Sequence, residues 1–407
     1  MGSFIDLRRE GDARFQGYLS LPPGGRGPGI LILQEIFGVN AAIRAVADRY
    51  AEEGYVALAP DLFWRLRERV DLGYSDAETA EALQLFHKFD VARAASDIYA
   101  ATDVLGSRPE CNGGLGVVGF CLGGTLALLA AGDRRFRAAA SYYPVMVEER
   151  LEVLDRVSCP TAIHLGGADH LMRPEARASV QERAAANALI RIYEYPGADH
   201  AFANSMRPQY HRHSANMAHT RSLEVLRPAI GPSYDLPRLW EQHMAQEYAV
   251  LDPEATVATM VEDAYVNHVP NLTGGYGRKH LLNFYRHHFT NRHPGKFHIE
   301  PISRTVGVDR IVEEAIFCFT HDREIDYLLP GVPATGKYVE LPFVAVVSFR
   351  GPKLAHEHIY YDSASILKQL GLVDFGGLPV SGSEQAAKVR DNSVPSNTFI
   401  PGWVPER

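Results

Sequence analysis

The stretch GVVGFCLGGTLALLAA, residues 116–131, sets a cysteine between two glycines, after a short apolar run and before a small-residue helical segment. A strand followed by Gly119-Phe120-Cys121-Leu122-Gly123 and a helix fits a nucleophile elbow, the turn described for serine as G-x-S-x-G. Such a turn forces its central residue into strained backbone geometry, and glycine on either side removes side chains that would collide. The helix N-terminus behind Cys121 favours a thiolate and offers the Leu122 N–H to an oxyanion. The competing reading is a lone cysteine buried as a small hydrophobe.

Cysteine chemistry of this kind needs an acid and a histidine later in the chain, each at the C-terminal end of a strand. TAIHLGGADHLM places Asp169 just after a strand-like run, and IRIYEYPGADHAF places His200 just after the next. Asp199 remains open as the acid, Asp169 as the closing residue of a turn, and His164 and His170 as structural histidines. Order and placement favour Asp169 and His200.

These residues need a scaffold, and 407 residues point to two domains of roughly 100 to 200 residues each. From the start to about residue 226, apolar runs such as GILIL, YVALAPDLF and LGVVGF alternate with helical patterns. Alternation of this kind predicts a parallel sheet with helices on both faces. In NAAIRAVADRYAEEG, Asn40 is placed to cap a helix whose Ile43, Val46, Ala47 and Tyr50 share a face. DAETAEALQLFHKFDVARAASDIYAATDVLG reads as one long helical stretch.

RPAIGPSYDLP, with three prolines and a glycine, reads as a linker over 227–237. The expected domains are therefore 1–226 and 238–374, followed by a Gly-, Pro-, Ser- and Asn-rich tail over 375–407 that wraps the surface or is partly disordered. Within the second domain, helical segments precede the strand-like runs KFHIEPISRTV, RIVEEAIFCFTHD, YVELPFVAVVSF and KLAHEHIYYD, an α+β order. Asp252 followed by Pro253 marks a helix start.

Composition narrows the function class. Apolar residues at 46%, charged residues at 22% and a dispersed net charge of −8 are those of an ordinary globular protein, without the basic runs that nucleic acid would need. No stretch approaches 18 uninterrupted apolar residues and the start has no apolar h-region, so the expectation is a cytoplasmic protein without a membrane segment. The four cysteines lack pairing or metal-ligand spacing, which predicts free thiols. No cofactor and no metal is expected.

The stretches GPGILILQEIFGVN, EEGYVALAPDLF, GVVGFCLGGTLAL, GGADHLM and YPGADHAFAN, in this order over residues 10–226, resemble the dienelactone hydrolase (carboxymethylenebutenolidase) family. The resemblance implies an α/β-hydrolase fold with a mostly parallel sheet, a Cys121–His200–Asp169 triad, and a small-molecule ester or lactone substrate. It implies that Glu35, in QEIFG, meets the resting thiol and helps to deprotonate it, and that the Ile36 N–H joins that of Leu122 as oxyanion donor. Bacterial members hold a substrate carboxylate with an arginine before the elbow strand and polar residues after the histidine. Here Tyr74 to His87 contains no Arg or Lys, Ala201 follows His200, and Asn204 stands where an arginine is expected. Arg65, Arg67 and Arg69 are the candidates to replace that clamp.

Residues 236–372, through GRKHLLNFY and GVPATGKYVELPFVAVVSFRGPKLAHEHIYYDSASILKQLG, are similar to the SnoaL-like branch of the NTF2-like superfamily. That resemblance implies a cone-shaped α+β barrel, catalytic in some relatives and ligand-binding or dimerising in others. It gives a module that assists substrate binding or dimerisation, with a homodimer expected; the alternatives are an acid/base isomerase or cyclase and a purely structural unit. Asp362 and His268 are its pocket candidates, against Asp362 as the cap of SASILKQLG. His356 and His358 alternate on one strand face without a third metal ligand.

Overall fold

The computed structural model describes residues 2–403; the last residues of the expected tail, 404–407, lie outside the described residues, as does residue 1. The chain divides into two compact units, Met1–Ser233 and Tyr234–Arg407.

In the first unit β1 (Ser3–Glu10), β2 (Ala13–Ser20), β3 (Gly27–Leu33), β4 (Val56–Pro60), β5 (Cys111–Phe120), β6 (Phe136–Tyr142), β7 (Thr161–Gly166) and β8 (Ile190–Tyr195) form one sheet. Their order is β1-β2-β4-β3-β5-β6-β7-β8. β1 and β2 are antiparallel to their neighbours, and β4 through β8 are parallel, so the sheet is mixed. Helices α1 (Ala41–Glu52), α2 (Asp76–His87), α3 (Val91–Ser107), α4 (Leu122–Ala130), α5 (Glu152–Arg156), α6 (Pro174–Ala185) and α7 (Arg212–Ile230) connect the strands. β3 and β4 are buried along their whole length, as continuous apolar strands covered on both faces must be.

Local chemistry sets the helix ends. Asn40 caps α1 by accepting the Ile43 N–H, and Ile43, Ala47 and Tyr50 face the core. The stretch read as one helix breaks at residues 88–90, because the Asp90 carboxylate accepts the N–H groups of Ala92 and Arg93 and starts α3 afresh. α7 continues through Pro228 to Ile230, so the irregular connection is shorter than the proline count suggests.

The second unit opens with α8 (Leu236–Ala245), which runs into a π-helical turn over Gln246–Val250, and α9 (Pro253–Ala258), capped by Asp252. Then come β9 (Met260–His268), β10 (Thr273–Tyr276) and α10 (Arg278–Phe284), the last running into a second π-helical turn, Tyr285–Phe289. β11 (Phe297–Val306), β12 (Arg310–Thr320), β13 (Tyr338–Arg350) and β14 (Lys353–Tyr361) follow, with α11 (Ser363–Leu370). The sheet order is β10-β9-β14-β13-β12-β11, antiparallel except for β14 against β9. Trp240, Leu281, Phe284, Tyr285, Phe317 and Phe349 belong to its core. A last helix, α12 (Glu384–Arg390), lies within the tail; its Ala386 is buried against Ile316 and Cys318, and Arg390 pairs with Glu300 at 2.7 Å.

Candidate active site

β5 carries the chain into the centre of the first sheet and delivers Cys121 at its C-terminal end, where α4 begins. Cys121 adopts φ 55° and ψ −116°, a region costly for a residue with a Cβ. Its N–H is tied to the Tyr142 carbonyl at 3.0 Å, which fixes the turn against β6. The flanking glycines are steric requirements: a Cβ on Gly119 would stand 1.8 Å from the Gly123 carbonyl oxygen, and one on Gly123 would stand 2.2 Å from that of Leu33. Leu122, the first residue of α4, directs its N–H out of the helix start. β3 pairs with β5 at Leu33 and Gly119, and the Gly123 N–H donates to Gln34 at 3.0 Å, so the loop bearing Glu35 and Ile36 runs beside the elbow.

Asp169 stands in the loop after β7 and His200 in the loop after β8. His200 Nδ1 lies 2.9 Å from Asp169 Oδ2, with both side chains buried. The other Asp169 oxygen accepts the Leu171 N–H at 2.9 Å, so the carboxylate cannot swing away. Burial opposes charge on the His200 ring. The charge of a Cys121 thiolate, with hydrogen bonds to Asp169 and Cys121, outweighs it and pushes His200 up to about 10.

The competing residues do other things. Asp199 accepts the N–H of His200 at 2.6 Å and the ring of the exposed His170 at 2.7 Å, shaping the loop from outside. His164 is fully buried between Tyr195 and Ser222, each at 2.9 Å, and burial drives it down to about 3.

Glu35 is a buried carboxylate, 2% exposed. Asn204 Nδ2 donates to its Oε2 at 3.0 Å, Tyr143 donates to Oε1 at 3.3 Å, and the Tyr74 hydroxyl is 3.5 Å from Oε2. Tyr143 also sets its ring edge-on to His200, with centroids 5.0 Å apart. Asn40 and Asn204 both donate to the Tyr74 oxygen, at 3.0 and 2.7 Å. The two tyrosines escape a reading of the sequence because the loops that bring them to Glu35 follow different strands. A pair of adjacent tyrosines at the end of a strand, SYYPV, was the only trace.

The arginines expected as a clamp are engaged elsewhere. Arg65 pairs with Glu10 and Asp97 at 2.6 and 2.9 Å, Arg67 pairs with Glu81, and Arg69 lies over the Phe4 ring. Arg207 instead lies over Phe37 and Tyr74, 5.7 and 5.4 Å from the ring centroids.

In the second unit, Asp362 caps α11 through the Ala364 N–H at 2.9 Å and takes the Gln385 amide at 2.6 Å, so its carboxylate is committed to structure. His268 is buried among Phe284, Phe289 and Tyr327, and burial lowers it to about 4. Among the described residues, no hydrogen bond or ion pair joins these two.

The model of the Dienelactone hydrolase family matches residues 15–230. A carboxymethylenebutenolidase of Pseudomonas sp. (strain P51) is 35% identical over 224 residues, 55% of this chain and 94% of the relative. Carboxymethylenebutenolidase 1 of Cupriavidus pinatubonensis (strain JMP 134 / LMG 1197) is 31% identical over 230 residues, 56% of this chain and 98% of the relative. A crystal structure from Klebsiella pneumoniae subsp. pneumoniae MGH 78578, described as a candidate dienelactone hydrolase, is 28% identical with a TM-score of 0.49, over 55% of this chain and 97% of that one. The chain belongs to the dienelactone hydrolase family and is a hydrolase of ester or lactone bonds. Among the described residues, no helix is long and apolar enough to cross a membrane.

Proposed function

We propose that the first unit is a cysteine-dependent hydrolase in which Cys121 is the nucleophile, His200 the proton carrier and Asp169 its orienting acid. The observation that carries this reading is Cys121 at positive φ at the start of α4, with a buried His200–Asp169 pair 2.9 Å across. The thiolate attacks the carbonyl carbon, and the oxyanion rests on the Ile36 and Leu122 N–H groups. His200 gives its proton to the leaving alkoxide or enolate, then takes one from the water that attacks the thioester, and thiolate is restored. Esters and lactones suit this site better than amides, because their leaving groups need less protonation. Glu35, held by Asn204, Tyr143 and Tyr74, meets the resting thiol and, as substrate arrives, helps its proton pass to His200; the proton taken later from water returns to sulfur at the end of the cycle.

The second unit is read as an NTF2-like module that assists substrate binding or forms a homodimer. Its six-stranded sheet with helices α8 to α10 against one face supports that reading, as do the exposed Tyr265, Tyr276 and Tyr360. The decisive experiment is acid-quenched mass spectrometry of the full chain during turnover of a panel of aryl esters and lactones. An acyl group on the peptide containing Cys121 is expected. Turnover without acylation of that peptide would overturn the mechanism.

A further inference from the structure

WEQHMAQE, residues 240–247, sets His243 and Glu247 four residues apart, on one face of α8 as it enters its π-helical turn. Glu357 comes from β14, opposite Val347 of β13 and Val266 of β9, both interior residues. His243 Nε2 lies 3.1 Å from Glu247 Oε1 and 3.0 Å from Glu357 Oε1, and the three side chains are 0%, 4% and 5% exposed.

Protons alone leave this cluster badly satisfied. The single hydroxyl proton of Thr259 is given to the Thr256 carbonyl at 2.6 Å, so its oxygen must accept from His243 Nδ1, also at 2.6 Å. His243 therefore carries its proton on Nδ1 and turns Nε2 towards the two carboxylates. One proton on Nε2 serves Glu247; Glu357 Oε1 has no hydrogen-bond partner despite its 3.0 Å approach. The buried Tyr285 hydroxyl, 1% exposed, also neighbours Glu247 without meeting it at full hydrogen-bonding geometry, and burial with the charge of both glutamates holds its proton on. Two buried carboxylates share one imidazole as their ion-pair partner among the described residues. Burial pushes the Glu357 carboxyl up, so the cluster must hold either a proton there or a further cation.

We propose that the interior of the second unit binds one divalent transition-metal ion through His243 Nε2 and the carboxylates of Glu247 and Glu357, with Tyr285 or a water completing the shell. One imidazole and two carboxylates form a donor set suited to zinc and its first-row neighbours, and a divalent charge balances the two glutamates. Donors around a tetrahedral zinc stand about 3.3 Å apart; the two His243 contacts, at 3.1 and 3.0 Å, are within a few tenths of an ångström of that, and all the donor atoms lie within 4.8 Å of one another. The Nδ1–H to Thr259 bond is the outer contact that fixes a ligating histidine. Enclosure of all three groups in a packed core favours an ion over an organic substrate, and the ion would pin α8 to β14.

Two other groupings lack these features. His298, Glu300 and Cys318 already have the Arg390 guanidinium beside them; Asp169, His170 and Asp199 belong to the hydrolase site.

The test uses the full chain, stripped by chelator and titrated with Co²⁺, followed by Zn²⁺ competition. About one equivalent of Co²⁺ is expected, with ligand-field bands of nitrogen and oxygen coordination and no thiolate charge-transfer band. Glu357→Gln and Thr259→Val, checked for folding by near-UV circular dichroism, should each weaken Co²⁺ binding by about 10- to 100-fold. His243→Ala should abolish it. No uptake by the wild type, a thiolate charge-transfer band, or uptake undiminished in the folded Glu357→Gln variant would each overturn the proposal.

Discussion

Asn204 Nδ2 lies 3.0 Å from Glu35 Oε2, bridging the loop after β8 to the loop after β3. One side chain thus links the loop bearing His200 to the loop bearing Ile36. The same amide nitrogen also meets the Tyr74 hydroxyl at 2.7 Å, so it is not free for a substrate.

Replacing Glu35 by Gln tests this cage. Asn204 and Tyr143 donate to different oxygens of Glu35, and an amide supplies only one. One donor would then face an NH₂, at a cost of about 1–3 kcal/mol. Glu35→Gln should slow acylation and alter the pH profile of Cys121 alkylation, and Asn204→Ala should reproduce part of the effect. Alkylation rates and profiles that match the wild type would make Glu35 a structural bystander.

Cys121→Ala should remove hydrolysis of activated aryl esters by on the order of 10^4- to 10^6-fold, since in the proposed mechanism Cys121 carries the acyl intermediate. Removing the Cys121 sulfur should also lower the His200 titration, followed by NMR, because charge and hydrogen bonding from that sulfur help to raise it. Asp169→Asn should cost about 10^4-fold in kcat by disturbing the imidazole tautomer, and Asp199→Asn far less, because Asp199 meets the backbone N–H of His200 rather than its ring. The reverse ranking would mean that Asp199 is the working acid.

The elbow was legible because steric necessity writes itself into types and spacing. Gly119 and Gly123 sit where a Cβ would strike a carbonyl oxygen, and the short strands that deliver Asp169 and His200 follow the elbow in a fixed order. Less legible was what depends on loops meeting in space: Tyr74, Tyr143 and Asn204 converge on Glu35 from three separate loops. The break at Asp90 was hidden because the apolar pattern continues across it and only a side-chain cap marks the new helix. Asp362 shows the converse, a carboxylate in a chemically suggestive position whose hydrogen bonds serve a helix start. The His243 cluster joins residues more than 100 positions apart, beyond the reach of a spacing motif.

Acid stability of the first unit should depend on Glu53, at the end of α1. Burial alone would raise its pKa, but hydrogen bonding and charge from His219, with Arg49 and Arg227, carry it from 4.5 down to about 2. A depressed carboxylate contributes stability that is fully present above the unfolded value and is lost as pH falls through the folded one. The window is therefore pH 4.5 to 2, with roughly 3 kcal/mol at stake. Glu53→Gln should destabilise the unit at pH 7, because Arg227, at 5% exposure, loses its buried partner. It should also flatten the fall in urea midpoint between pH 5 and 2. An unchanged slope would show that Glu53 keeps an ordinary pKa.

Substrate charge is the last point the site decides. A carboxylate entering this pocket would approach the buried Glu35, and Arg207, though nearby, lies over the Phe37 and Tyr74 rings rather than among the groups that contact Glu35. Arg65, Arg67 and Arg69 are engaged with Glu10 and Asp97, with Glu81, and with Phe4, while the Asn204 amide is already spent on Glu35 and Tyr74. Missing hydrogen bonds to a buried carboxylate cost a few kcal/mol, enough for roughly 10^2-fold in binding. Neutral esters or lactones should therefore be hydrolysed with a higher kcat/KM than analogues bearing a free carboxylate away from the scissile bond. The check is a matched pair, the acid and its amide. A strong preference for the acid would sink this expectation and direct attention to Arg207, whose guanidinium lies over Phe37 and Tyr74 beside Glu35. In that event Arg207→Ala should erase the preference, whereas Arg67→Ala, which only breaks a surface pair with Glu81, should leave it intact.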